Sequence, residues 1–310
     1  MNKKSSLLND LYNFFVGFCM GGANVIPGVS GGTMLFILGA FNKLTDAIRD
    51  IACIETIKLL FAANWKALYA RIQWRFLIGI AIGLLVSFAT LTKLIIWMLN
   101  EHQQLTYAFF FGLIISSIIT VNRQIKKWSY GAIICLILST VGAFAVIRLV
   151  PVESSTTWYM LMLYGAICII AMILPGLSGS FLLLIFGQYA RVWGAISNIA
   201  SFKFNWNEIC DVTLLAAGAI IGLGLFVHLL NFLMKHFHNA VVASLIGFMI
   251  GAIPRLWPWQ HEEIFSKKII FDAPVYNSNL PLIILSALGG IALVLIIDFC
   301  AKEAKTEKEK

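Results

Sequence analysis

"NVIPGVSGGTMLFILGAF", residues 24–41, sets a proline, four glycines and a serine inside a long apolar run, and "MILPGLSGSFLLLIFGQY", residues 172–189, breaks its own run in the same way. Proline ends a helix because it has no N–H and clashes with the preceding turn, and glycine permits the tight reversal that follows. Irregular backbone at membrane depth is tolerated only where it is buried in protein or lines a wet cavity, since every unsatisfied N–H or C=O is costly in lipid. Each segment therefore reads as a re-entrant hairpin. A helix enters, stops at Pro27 or Pro175, and returns from Ser30 or Ser178, whose hydroxyls suit an N-cap.

The surrounding composition puts these breaks in a bilayer. Of 310 residues 60% are hydrophobic and 12% charged, and the mean hydropathy is +0.87. Such a chain has about half the charge of a soluble domain. Runs near the roughly 20 apolar residues that cross about 30 Å of hydrocarbon occur at 76–99, 105–121, 129–150, 211–234, 240–257 and 280–300. The expected fold class is an all-α polytopic membrane protein. No removable signal peptide is expected, because the first apolar stretch begins near Leu11, lacks a small-residue cleavage site and runs on into the break. The six cysteines are scattered without a CxxC pair and read as small buried hydrophobes, so neither a metal nor a cofactor is expected.

With Pro27 laid on Pro175, residues 17–44 align with 165–192 without a gap. Gly17, Ala23, Gly28, Ser30, Gly31, Leu35, Ile37 and Gly39 all recur, and Lys43 meets Arg191. Further on, Gly79 and Gly83 are set against Gly218 and Gly222, and Gly112 against Gly247 after a four-residue indel. The chain reads as one unit duplicated. The first repeat, 1–150, holds a hairpin at 11–41, interfacial helices at 44–73 and three spans. The second, 151–300, holds a hairpin at 157–192 and three spans, with the seam near 148–156. Residues 301–310 form a charged tail expected to be disordered.

A hairpin that returns to its own side, followed by three spans, inverts the second copy. On that arrangement sixteen Lys and Arg lie on the side of the N-terminus and six on the other, with Lys93 inside a span. The positive-inside rule then makes both termini cytoplasmic. The formal charge of +8 is thus accounted for by membrane topology, and no nucleic-acid partner is implied.

Two helix N-termini that meet near the midplane from opposite sides make a site for an anion, since each end carries about half a positive charge with hydroxyls beside it. Discontinuous helices in inverted repeats point to a transporter binding site. The candidate phosphate-binding residues are Gly28, Ser30, Gly31, Gly32 and Thr33 on the first tip, and Gly176, Ser178, Gly179 and Ser180 on the second. Close helix packing through small residues is the competing reading of any one tip. Recurrence at equivalent repeat positions favours the site.

The paired "PGVSGG" and "PGLSGS", the size and the duplicated layout resemble the polyprenyl-phosphate transporter family, long known as a bacterial membrane domain of unknown function. The resemblance covers nearly the whole chain. It implies a protein that returns undecaprenyl phosphate, the lipid carrier of cell-wall precursors, from the outer to the inner leaflet of a bacterial plasma membrane. It also implies a non-enzyme whose partners are this lipid and the bilayer, with no oligomeric state specified. Ser180 stands where the first copy has a second glycine, so the backbone there approaches a ligand less closely.

Several ionisable residues are further candidates. Lys43 and Arg191, each sixteen residues past its proline, would emerge at opposite faces, either snorkelling or collecting headgroups. Arg148 and Arg255 lie where a phosphate arriving from outside would meet them, and aromatic-belt anchoring is their other reading. Lys93 reaches either the outer surface or the cavity. His228, with Asn231 one turn later, is either a packed neutral imidazole or a proton-coupling group. Three rival functions follow. A transporter of a small soluble anion would use the same helix ends. An intramembrane protease reading of GxSG needs a histidine base at the serine, and His228 cannot serve two symmetric serines. A lipid phosphatase would need a compact Arg/His/Asp set, which is not evident.

Overall fold

The computed structural model describes residues 3–25, 30–149, 157–176, 178–262, 269–274 and 279–309. Its helices are α1 (Lys3–Val25), α2 (Gly31–Ile37), α3 (Phe41–Ala52), α4 (Ile54–Phe61), α5 (Trp65–Arg71), α6 (Trp74–Glu101) and α7 (Gln103–Asn122). They continue as α8 (Tyr130–Ile147), α9 (Trp158–Ile173), α10 (Gly179–Ile185), α11 (Tyr189–Ala200), α12 (Trp206–His236), α13 (His238–Ala252) and α14 (Leu280–Glu309). Six are long and apolar enough to cross a membrane: α6, α7, α8, α12, α13 with its 3-10 extension to Leu256, and α14 as far as Phe299. These are the six runs read from the sequence, and the protein is a multi-pass membrane protein.

Strands β1 (Gln260–Glu262) and β2 (Ile269–Phe271) form a short antiparallel pair between α13 and α14 in an otherwise helical fold. One local expectation fails: the charged end is helical, because α14 runs on to Glu309. Alanine, lysine and glutamate are strong helix formers, and a helix continued from a span needs no new nucleus.

The hairpins follow from which helices run alongside each other. α1 and α6 are parallel, with Asn13 against Gly79 near one end and Gly22 against Leu91 near the other. Parallel helices start on the same side, so the chain between them must come back. The Tyr12 hydroxyl donates to the Leu38 carbonyl and Lys43 Nζ lies 3.4 Å from Asn13 Oδ1, so α2 returns beside α1. In the second copy Phe186, just past α10, stacks on Tyr164 of α9 at 4.6 Å, and α10 and α11 are bent by 119°. Gly39 and Gly187 both stand at φ 66°, the left-handed conformation that ends a helix readily only at glycine.

Glycines also set the register of the repeat. A Cβ at Gly17 or Gly165 would fall 2.1 Å from the carbonyl oxygen of Ile80 or Leu215, and one at Gly83 or Gly218 would fall 2.1 or 1.9 Å from that of Phe14 or Met162. Gly83 is therefore the counterpart of Gly218, one turn away from the match to Gly222 read from the sequence. The same register carries Gly112 to Gly247 and the first residue of α7, Gln103, to the first of α13, His238, with no indel.

Each repeat lends a helix to the other. α7 lies along α14, with Ser286 donating to the Leu105 carbonyl (2.7 Å) and Arg123 paired with Asp298 (2.8 Å). α8 lies along α13, with Gly247 on Leu136 and Gly251 on Thr140. α13 thus runs parallel to α8, the span after α7, and opposite to its own counterpart α7, which is the inverted relation. α7 and α13 are buried over 56% and 50% of their spans against 17–24% for the other four, so these two form the centre. The hairpin tips pack on them.

Candidate functional site: two hairpin tips

Ser30 occupies the N-cap position of α2 with extended backbone (φ −114°, ψ 150°), yet its side chain does not cap the helix. Its hydroxyl donates 2.9 Å to the Leu174 carbonyl at the end of α9. The Gly31 N–H instead donates 2.7 Å to Asn24 Oδ1. A Cβ at Gly32 would fall 2.0 Å from the Ile173 carbonyl oxygen. Ser30 and Thr33 are 0% exposed, and Thr33 Oγ1 and Asn24 Nδ2 are buried without a hydrogen-bond partner. The described residues of the first tip, Ser30 to Thr33, are thus packed against the second repeat. A hydroxyl has one proton to give, so Ser30 cannot donate to an anion while Leu174 holds it.

The second tip is arranged differently. Gly176 (φ 86°) abuts the Phe248 carbonyl of α13, and Gly179 lies under the Cys168 carbonyl. Ser178 is again an N-cap without a capping bond. It shares a 2.8 Å hydrogen bond with Ser180, whose side chain is exposed. The Arg255 guanidinium stands 4.8 Å over the ring of Phe181, in the first turn of α10. Two hydroxyls with a guanidinium close by are groups that can hold a tetrahedral anion through charge-assisted hydrogen bonds.

The remaining sequence candidates lie elsewhere. Pro27 and Gly28 are outside the described residues. Lys43 lies at the base of the first hairpin, 4.1 Å over the Phe76 ring, and Arg191 at the base of the second, 2.7 Å from Asp211. Arg148 ends α8 over Phe144 at 4.4 Å. Lys93 is exposed on α6. His228 is on the exposed face of α12 with Nδ1 2.7 Å from the Gly224 carbonyl of its own helix, while Asn231 donates 2.9 Å to Asp46 of α3. Asn24 was missed by the sequence reading. Its counterpart is Met172, so a search for recurring residues passed over it, and its signal was a lone carboxamide in an apolar run just before the break.

A family model described as undecaprenyl phosphate translocase-like matches residues 20–269. A Vibrio cholerae protein named polyprenyl-phosphate transporter is 36% identical over 253 residues, which are 82% of this chain and 79% of that protein. A Staphylococcus aureus protein of the same name is 28% identical over 262 residues, 79% of this chain and 86% of that one. Both names are those of transporters and not of enzymes. No solved structure matches the chain.

Proposed function

The chain belongs to the undecaprenyl phosphate translocase-like family, and on that premise we propose that it carries a polyprenyl phosphate from the outer to the inner leaflet of a bacterial plasma membrane. The phosphate is held at the hairpin tips, by Ser178, Ser180, Gly176 and Gly179 on one side and by Gly28, Ser30, Gly31, Gly32 and Thr33 on the other. The observation that carries this reading is the meeting of the two tips at the centre, where Ser30 donates to Leu174 across the repeats.

With both termini cytoplasmic, as sixteen against six basic residues favour, the open second tip receives the headgroup from outside beside Arg255. The prenyl tail stays in lipid. Passage to the first tip requires exchange of two internal bonds, Ser30 with Leu174 and Gly31 with Asn24, for bonds to phosphate oxygens. Charge-assisted bonds are about twice as strong as neutral ones, so an anion can compete for both donors.

The test is the affinity of the purified protein for a short-chain prenyl phosphate. A hydrogen bond to a charged group contributes about 1.5–3 kcal/mol, so Ser178→Ala and Ser30→Ala should each weaken binding about tenfold or more. Unchanged affinity in both variants, at normal levels of folded protein, overturns the tips as the site. Equal affinity for inorganic phosphate would make the substrate a small soluble anion instead.

A further inference from the structure

We propose that the prenyl chain of the bound lipid lies along one exposed stripe of the second hairpin, in a lateral opening between that hairpin and α6. The proposal rests on the transport reading above, which puts the phosphate at the tips, and adds where the rest of the substrate goes. Ser180, Leu184 and Gly187 follow one another at helical spacing along one side of α10 and its end, and all three are exposed. The opposite side is filled: Leu182, Leu183 and Ile185 are buried, Leu182 and Ile185 in one cluster with Ala143 and Ala171. Past the 119° bend the stripe resumes on α11, where Tyr189 and Trp193 are 40% and 50% exposed with ring centroids 6.1 Å apart. The exposed side is therefore the way out for a chain esterified to a phosphate on Ser178 and Ser180.

The first hairpin shows the same stripe covered. The gap-free alignment, carried on through the equally long α3 and α11, sets Gly32, Phe36, Phe41 and Thr45 against Ser180, Leu184, Tyr189 and Trp193. All four are buried in the first copy. Phe36 and Phe41 share a core cluster with Ile173 of α9 and with Val227 and Leu230 of α12, the long helices of the other repeat. Next along, Asp46 of α3 accepts 2.9 Å from Asn231 of α12. Its counterpart in the second copy is Gly194, where a Cβ would meet no described atom within 4 Å. In the repeat register α6 corresponds to α12, so α6 is the helix that would close the second stripe, and the space before Gly194 is open.

The order of groups along the stripe fits one occupant. It runs from two hydroxyls at the tip, past Leu184, to two aromatic rings at the hairpin base, as the lipid runs from its phosphate into its hydrocarbon. Tyr and Trp belong at the level of the headgroups, so the path leads from the tip toward the surface of one leaflet. Lipid tails are as apolar as leucine, so apolar contact as such gives the chain little affinity. The opening instead lets the phosphate reach the tip while its chain stays in lipid, and the anchored phosphate decides where that chain lies.

The experiment is photocrosslinking of the full chain in phosphatidylcholine vesicles with two short-chain prenyl phosphates, one bearing its diazirine beside the phosphate and one midway along the chain. Adducts are mapped by mass spectrometry with and without excess unlabelled prenyl phosphate. The first probe should label 178–180 and the second 184–193, and the excess should erase both. Exposed Leu138 of α8 and Leu285 of α14 should carry only adducts that the excess leaves in place. Gly194→Trp fills the open space and should remove the 184–193 adducts, whereas Gly142→Trp, at a glycine on α8 that also has no described atom within 4 Å of its Cβ position, should leave them. Chain adducts that are missing from 184–193, survive the excess or survive Gly194→Trp, while tip adducts form normally, overturn the stripe alone. Protection of 184–193 from a phosphatidylcholine photoprobe when no prenyl phosphate is present would assign the stripe to a second copy of the chain and overturn it likewise. Competed adducts at neither place overturn the transport reading on which the proposal rests.

Discussion

Residues 17–44 and 165–192 align without a gap, and in each the described residues form a long helix followed by a short helix that begins one residue after a serine, yet the two short helices start in opposite conditions. In the first, Ser30 and Thr33 are fully buried and Ser30 is bonded to Leu174 of the other repeat. In the second, Ser180 is exposed and shares a hydrogen bond with Ser178. Three differences between the copies account for this. Asn24 supplies an oxygen to the Gly31 N–H, which Met172 cannot supply in its copy. Gly32 lets the backbone close on the Ile173 carbonyl, and Ser180 is its counterpart. Thr33 is replaced by Phe181, which offers a ring to Arg255. On the proposed reading the shared backbone provides two places for an anion, and a few side chains decide which of them is available.

The comparison breaks outright if the hairpin bases share one face of the membrane. Burial alone would raise the Cys53 thiol, but hydrogen bonds from Thr56 and the neighbouring Arg71 guanidinium bring it below its usual value, so it should label readily near neutral pH. An impermeant maleimide should reach Cys53 only from the cytoplasm and a cysteine introduced at exposed Phe202 only from outside. Labelling of both in intact cells would refute the inverted arrangement.

A milder challenge exchanges the tip residues. Gly32→Ser puts a Cβ about where the Ile173 carbonyl stands, and overpacking of this kind costs about 1–3 kcal/mol or more. Ser180→Gly opens an already exposed position and should change stability by about 0.5 kcal/mol or less. Melting of the two purified variants compares them directly; equal melting temperatures would mean that the first tip is no tighter than the second.

A narrower test of the first tip is Asn24→Ala. It leaves the Gly31 N–H without its partner at a cost of about 1–3 kcal/mol, lowering the melting temperature of the free protein. A bound phosphate should restore the lost bond, so the stabilisation by prenyl phosphate should grow by a similar amount. If the variant melts lower and gains nothing extra from ligand, Asn24 is a helix cap and no competitor of the substrate.

The spans and hairpins were legible because long apolar runs and a proline followed by glycines have few other physical readings in a bilayer. The helix register was not, since Gly79 and Gly83 are four residues apart, as are Gly218 and Gly222, and a slip of one turn preserves a glycine match. The bond from Ser30 to Leu174 needs the two breaks to meet in space, which no local pattern announces. Nor was the exposed stripe of the second hairpin legible, since its residues align without a gap with a stripe that the first copy buries. The helical tail was missed because its charge was weighed above the helix propensity of Ala, Lys and Glu.

The pairing of α7 with α14 and of α8 with α13 bears on biosynthesis. Helices leave the ribosome in order, at about 5–20 residues each second, so α8 waits for α13 and α7 for the last helix of all. Until then Gly112, which meets Ala287 in the finished protein, faces lipid, and Arg123 has yet to meet Asp298. Contacts so distant in sequence close late because the loop entropy is lost before they form. A chain halted before residue 280 has inserted most of its spans and completed neither repeat.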